Sequence, residues 1–99
     1  MSTVTVSGFL IAPTLADADR ASELLPEHIR LSRAEPGCLT FEVERSQSDP
    51  IRFALFEVFR DEEAFAAHQV RTKSSVWWTE TTGFERDFSV SREQAGKPD

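Results

Sequence analysis

The chain contains only two histidines, His28 and His68, and both fall on the apolar side of a predicted helix. A side chain that titrates near neutrality is suited to take a proton from an acidic phenol. Glu57 is the third candidate. It alternates with Phe53, Leu55 and Phe59 along a predicted strand, so its carboxylate sits on an apolar face and requires a partner. That partner can be a histidine, making Glu57 a general base or an orienter of His68, or an arginine such as Arg52, Arg60 or Arg86 in a structural ion pair. Trp77 and Trp78 are adjacent, so on a helix they point about 100° apart. One could line a pocket for a flat aromatic ligand while the other packs into a core or interface. Phe65 belongs to the same apolar set, and Arg86 is a cation able to steady a phenolate or to close a salt bridge.

Other chemistry is poorly represented. Eight Phe and two Trp stand beside no Tyr, which removes phenolic acids, bases and radicals from any mechanism. Cys38 is the one cysteine, has no basic residue beside it to lower its pKa, and fits a reducing compartment. Neither His-x-x-x-His nor Cys-x-x-Cys spacing occurs, so no metal site is expected, and no glycine-rich loop points to a nucleotide or flavin. A formal charge of −6 disfavours nucleic acid and anionic membrane surfaces. Nothing reads as a membrane span or an export signal, so a cytoplasmic protein is expected.

Residues 3–11 are β-branched and apolar, with Gly8 marking a bulge or a close approach and Pro13 ending the strand. Asp17 is the expected N-cap of a helix whose apolar stripe is Ala21, Leu24, Leu25, His28, Leu31 and Ser32. Pro26 lies inside it and predicts a kink or a restart. Glu35-Pro36-Gly37 is a turn. Cys38–Arg45 alternates Leu39, Phe41 and Val43 against Thr40, Glu42 and Glu44. Residues 46–50 form the next turn. Arg52–Arg60 is apolar on both faces, with Ala54, Phe56 and Val58 opposite the Phe53 set, so both faces must be covered. Two helical segments cover one face of a sheet; a second subunit is the simplest cover for the other. Asp61 caps a second helix bearing Ala64, Phe65 and His68, residues 71–80 add a short third one, and residues 84–90 form a last strand. Residues 1–91 read as one domain and 92–99 as a polar, disordered tail. The expected class is α+β: a ferredoxin-like βαββαβ arrangement, an antiparallel sheet with helices on one face.

Three segments carry a family likeness: Ser32-Arg33-Ala34-Glu35-Pro36-Gly37-Cys38-Leu39 leading into Phe41, Phe56-Glu57-Val58-Phe59, and Asp61-Glu62-Glu63-Ala64-Phe65 with Ala67-His68. In this order and spacing the chain resembles the antibiotic biosynthesis monooxygenase family up to about Val90. The resemblance implies a dimeric α+β barrel in which two sheets pair back to back, and a pocket between helices and sheet. The family spans quinol and polyketide monooxygenases, haem-degrading enzymes and an isomerase of a quorum-signal breakdown product. Haem-degrading members carry an asparagine on the first strand and a histidine late in the second helical region. Here Ser7 stands in about the first place and no histidine follows His68, so haem is not expected. Other members follow the motif histidine with a Thr-Pro-His triplet or similar, where this chain has Arg71-Thr72-Lys73-Ser74. The reaction implied is cofactor-independent oxidation of a small aromatic quinol or phenol by O2, with His68, His28 and Glu57 catalytic and Trp77, Trp78, Phe65 and Arg86 binding substrate. The alternatives are a non-catalytic dimer that binds a small hydrophobic molecule, or an isomerase of a small carbonyl compound.

Overall fold

The computed structural model describes residues 2–94. The elements run β1 (Ser2–Ile11), α1 (Leu15–Arg33), β2 (Cys38–Arg45), β3 (Arg52–Phe59), α2 (Glu62–Lys73), α3 (Val76–Thr81) and β4 (Glu85–Gln94). All pairings are antiparallel and the spatial order is β2-β3-β1-β4. This is the expected α+β architecture with the helices packed on one face of a four-stranded sheet.

Pairing register decides which residues share the helical face. Val4, Val6, Gly8 and Leu10 of β1 stand opposite Phe59, Glu57, Leu55 and Phe53 of β3, and Phe41 of β2 stands opposite Glu57. Their apolar members pack against Ala18, Ala21 and Leu25 of α1, Ala64 of α2 and Trp77 of α3. Alanines at the helical contacts let the helix backbones approach the sheet closely. Phe53 and Phe59 are wholly buried there. The other face of β3 carries Ala54, Phe56 and Val58, paired with Phe9, Ser7 and Thr5. Among the described residues no helix covers it: Phe56 is 44% exposed and Phe9 37%. The two-sided apolar character of β3 therefore corresponds to one covered and one open face.

Several local expectations are corrected. Thr14, not Asp17, caps α1: its hydroxyl oxygen accepts from the Asp17 amide at 3.1 Å and its proton goes to the Asp17 carboxylate at 2.8 Å. Asp17 thus sits in the first turn, where its amide is satisfied by the cap and its charge complements the helix dipole. Pro26 lies within one continuous helix, without the expected restart. It sits on the exposed side, where solvent can satisfy the carbonyl that a proline leaves without a donor. Leu39 leaves the Phe41 face and is 58% exposed, because the register slips by a residue between Cys38 and Thr40. β4 runs on to Gln94 because Ser91 and the next residues continue to pair with β1, from Thr5 down to Ser2. The rest of the expected tail, residues 95–99, lies outside the described residues.

Gly8 and Gly37 have positive φ, +142° and +91°. A Cβ on Gly8 would collide with the Asp87 carbonyl of β4. On Gly37 it would lie 2.6 Å from the Ala64 Cβ. The Pro36-Gly37 turn is therefore seated on the first turn of α2, fastened by the Arg60 amide donating to the Gly37 carbonyl at 2.7 Å.

Candidate functional site

A cavity of about 330 Å³ opens between the helices and the sheet. Its floor is Val6, Leu10, Leu55, Phe88 and Val90, around Gly8, which contributes no side chain. His28, Phe65, His68, Thr72, Trp77 and Trp78 come from the three helices, and Glu57 and Arg86 rise from the sheet. All seven residues singled out from the sequence thus border one space. Such a volume, largely apolar with a few convergent polar groups, suits a ligand of one or two rings.

His68 is held by the turn that Gly37 seats. Ala64 meets Gly37, and one helical turn further on His68 meets Glu35, the residue that begins the same turn. The Nδ1 of His68 lies 2.9 and 3.2 Å from the two Glu35 oxygens. Glu35 also takes the Arg71 guanidinium, whose far end donates to Ser32 Oγ at 2.8 Å. A carboxylate only accepts, so Nδ1 carries the proton and Nε2 keeps its lone pair. That lone pair faces Thr72 Oγ1 at 3.3 Å and Glu57 Oε1 at 3.8 Å. Burial lowers the His68 pKa; attraction and hydrogen bonding from Glu35 oppose this, and Arg71 adds to it.

Glu57 does not find an arginine. Arg52 pairs with Asp49, Arg60 with Asp61, and Arg86 donates to Thr81 and Phe84. Its one basic neighbour among the described residues at ion-pair distance is His68, at 3.8 Å. Burial, reinforced by the charge of Glu35, pushes the Glu57 carboxyl up to about 7. It can therefore hold or release a proton at neutral pH.

His28 has a different character. Its ring stacks on Trp77, centroids 4.7 Å apart and 8° from parallel, and meets the Phe41 ring at 5.4 Å edge-on. Its Nδ1 is buried without a hydrogen-bond partner among the described residues. Burial first, then the nearby His68 and Arg71, bring its pKa down to about 3, so the ring is neutral under ordinary conditions. Trp77 is in the core as well as at the cavity, while Trp78 is half-buried at its edge. Arg86 lies 4.8 Å above the Trp78 ring and Lys73 5.8 Å from it. Phe65 packs against Phe59 at 5.5 Å and walls the cavity. Burial raises the Cys38 thiol pKa, with Glu35 and Glu57 adding to the effect, so a thiolate is disfavoured. Among the described residues no three His, Cys, Asp or Glu side chains are grouped to hold a metal ion. No helix among the described residues is long and apolar enough to cross a membrane.

Glu35 is the residue that sequence reasoning passed over, as part of a turn. Buried-histidine bookkeeping could have found it, since a histidine on an apolar helix face needs an acceptor for its ring N–H.

The antibiotic biosynthesis monooxygenase family model matches residues 9–75, about two thirds of the chain and the whole stretch that builds the Glu35–His68–Glu57 cluster. The chain belongs to this family. Three solved structures described as candidate antibiotic biosynthesis monooxygenases share its fold. The one from Nitrosomonas europaea is 22% identical with a TM-score of 0.67, covering 98% of this chain and 92% of its own. That from Bacteroides thetaiotaomicron is 21% identical with a TM-score of 0.71, covering 98% and 91%. That from Deinococcus radiodurans is 21% identical with a TM-score of 0.64, covering 100% and 96%. No curated protein sequence matches the chain. At these identities the structural likeness carries the fold, and family membership favours a monooxygenase-like activity.

Proposed function

We propose that this protein is a cofactor-independent monooxygenase that oxidises a small aromatic quinol or phenol with O2. The observation that carries the reading is the His68 ring, with Nδ1–H held by Glu35 and Nε2 turned to the cavity. There the Thr72 hydroxyl at 3.3 Å and Glu57 at 3.8 Å are its neighbours, and a substrate hydroxyl can take the place of that of Thr72. A phenol placed with its hydroxyl at Nε2 gives up its proton, and the electron-rich anion then reduces O2. Overall, the substrate supplies all four electrons: one oxygen atom enters the ring as a quinone carbonyl and the other leaves as water. Glu57, titrating near 7, is placed to return a proton to the departing oxygen. The apolar walls exclude bulk water and strengthen these charge interactions. Of the two histidines, His68 is the base. His28, whose conjugate acid is far more acidic, serves as a neutral wall stacked on Trp77.

Convergence of His68 and Glu57 on one cavity also favours a second reading, isomerisation of a small carbonyl compound by a base and acid acting in turn. Oxygen uptake by purified protein across quinols and polycyclic phenols, beside His68→Ala, separates the two. Uptake above autoxidation that falls about 10²-fold or more in the variant supports the oxygenase, that being the usual size of a general-base contribution. Turnover of a carbonyl substrate without oxygen consumption would replace it with the isomerase.

The working unit we propose is a homodimer, closed by the open sheet face around Phe9, Phe56 and Val58. An apolar strip of this kind on a small chain gains stability when a second copy covers it.

A further inference from the structure

Of the ten described Lys and Arg residues, seven stand in ion pairs with carboxylates: Arg20, Arg30, Arg45, Arg52, Arg60, Arg71 and Arg92. Arg33 donates instead to the Phe41 carbonyl. The remaining two, Lys73 and Arg86, both border the cavity and both lie against the same Trp78 ring. In a chain of net charge −6, two cations without a carboxylate partner among the described residues, converging on one indole at a cavity edge, need a reason. Local structure supplies only part of it. Arg86 spends its Nη atoms on the Thr81 and Phe84 carbonyls and the Thr81 hydroxyl, which fixes the guanidinium in place but leaves its charge uncompensated. Burial disfavours that charge, so a bound anion would be stabilised against it.

The cations and the acid–base cluster occupy opposite parts of the cavity. Glu57 pairs with Val6, whereas Arg86 pairs with Leu10, four residues further along β1. That is about 13 Å along the strands and, with β1 between β3 and β4, about 10 Å across them. Glu35 and Glu57 lie at the first end and Lys73 and Arg86 at the second. At the first end Arg71 already compensates Glu35 and leaves no cation for a ligand. The second offers two cations without a carboxylate partner among the described residues, so a ligand with one anionic end is favoured in one orientation.

We propose that Lys73 and Arg86, flanking Trp78, form an anion-selective pole of the cavity, and that the substrate is a planar aromatic acid whose reacting hydroxyl lies at the end opposite its carboxylate. Trp78 offers the ring a stacking surface, and the cations take the carboxylate by charge-assisted hydrogen bonds. This deepens the oxygenase reading and rests on its orientation of the hydroxyl toward His68.

Isothermal titration calorimetry with two probes tests it: 6-hydroxy-2-naphthoate, with hydroxyl and carboxylate at opposite ends, and 2-naphthol, the same ring without the carboxylate. At low salt the naphthoate should bind about tenfold or more tightly than the naphthol, the scale of one hydrogen-bonded charge. Lys73→Gln should cut naphthoate affinity several-fold more than naphthol affinity, narrowing the preference, and Arg86→Gln should act likewise. High salt should narrow the difference. Equal affinity for the two probes, or a preference intact in both variants, overturns the proposal; so does an absence of binding by either probe. Calorimetry needs no turnover, so the two readings fail separately. A protein that prefers the naphthoate but consumes no oxygen keeps the anion pole and loses the oxygenase. One that consumes oxygen without the preference does the reverse.

Discussion

His68 Nε2 and Glu57 Oε1 stand 3.8 Å apart, nearly buried, with no arginine between them. That separation is longer than a hydrogen bond, so each group keeps its capacity to act on a third partner. On the other side of the ring, Nδ1 is engaged by Glu35, itself anchored by Arg71. The result is an asymmetric ring: Nδ1 is held by a buried carboxylate, while Nε2 meets only the Thr72 hydroxyl, at 3.3 Å, on the cavity side.

Glu35→Gln keeps the shape of the anchor but removes its charge, so His68 loses the preference for Nδ1–H. Oxygen uptake should fall about tenfold or more, its pH profile should move, and nitrogen NMR of the imidazole should show the two tautomers mixing. An unchanged tautomer would remove Glu35 from this positioning role.

Glu57 gives a stability signature. Its folded pKa, about 7, lies above its ordinary value of 4.5, so the native state holds its proton more tightly than the unfolded chain. Stability should be lost as pH rises from 4.5 through 7, by about 3 kcal/mol in total for a shift of this size. Glu57→Gln has no proton to lose. It should melt higher than the parent at pH 8 and close to it at pH 5, by differential scanning calorimetry.

His28 acts in the opposite direction. With a folded pKa of about 3, below the usual 6.5, its contribution is complete above pH 6.5 and is lost as pH falls toward 3. By pH 4 this amounts to about 3 kcal/mol. His28→Phe retains the stack on Trp77 and should resist acid unfolding better than the parent in circular-dichroism melts at pH 4. Oxygen uptake should stay within about threefold; a loss as large as that of His68→Ala would make His28 the base instead.

Phe56→Asp places a charge at the centre of the open sheet face. Sedimentation velocity at micromolar concentration should give a dimer for the parent and a monomer for the variant, with the helical circular-dichroism signal retained. A monomeric parent would contradict the covering role assigned to a second copy.

Gly37→Ala tests the seat of the site. The new methyl would meet Ala64 at a backbone φ of +91°, costing a few kcal/mol and shifting α2 away from Glu35. Adding Ala64→Gly should recover part of the thermal stability, because it removes the clash while leaving the strained φ.

The element order and both helical stripes can be read along the chain. Helix and strand periods differ, and the spacing of Ala21, Leu25, His28 and Ser32, or the alternation of Phe53, Leu55, Glu57 and Phe59, can be counted along the chain. The sequence also marked Glu57 as a carboxylate in need of a partner. The choice of His68 over an arginine, and the anchoring of His68 itself, come from packing between distant segments. His68 and Glu35 are thirty-three residues apart, and their contact depends on Gly37 seating on Ala64. The same holds for the placing of Leu39, which a one-residue slip in the β2–β3 register turned outward, and for the meeting of Lys73 and Arg86 on Trp78. Local propensity acts over a few residues and is written in the chain. Pairing register and the docking of a turn on a helix are set by non-local packing, where many small contacts compete and a single residue pattern does not reveal the winner.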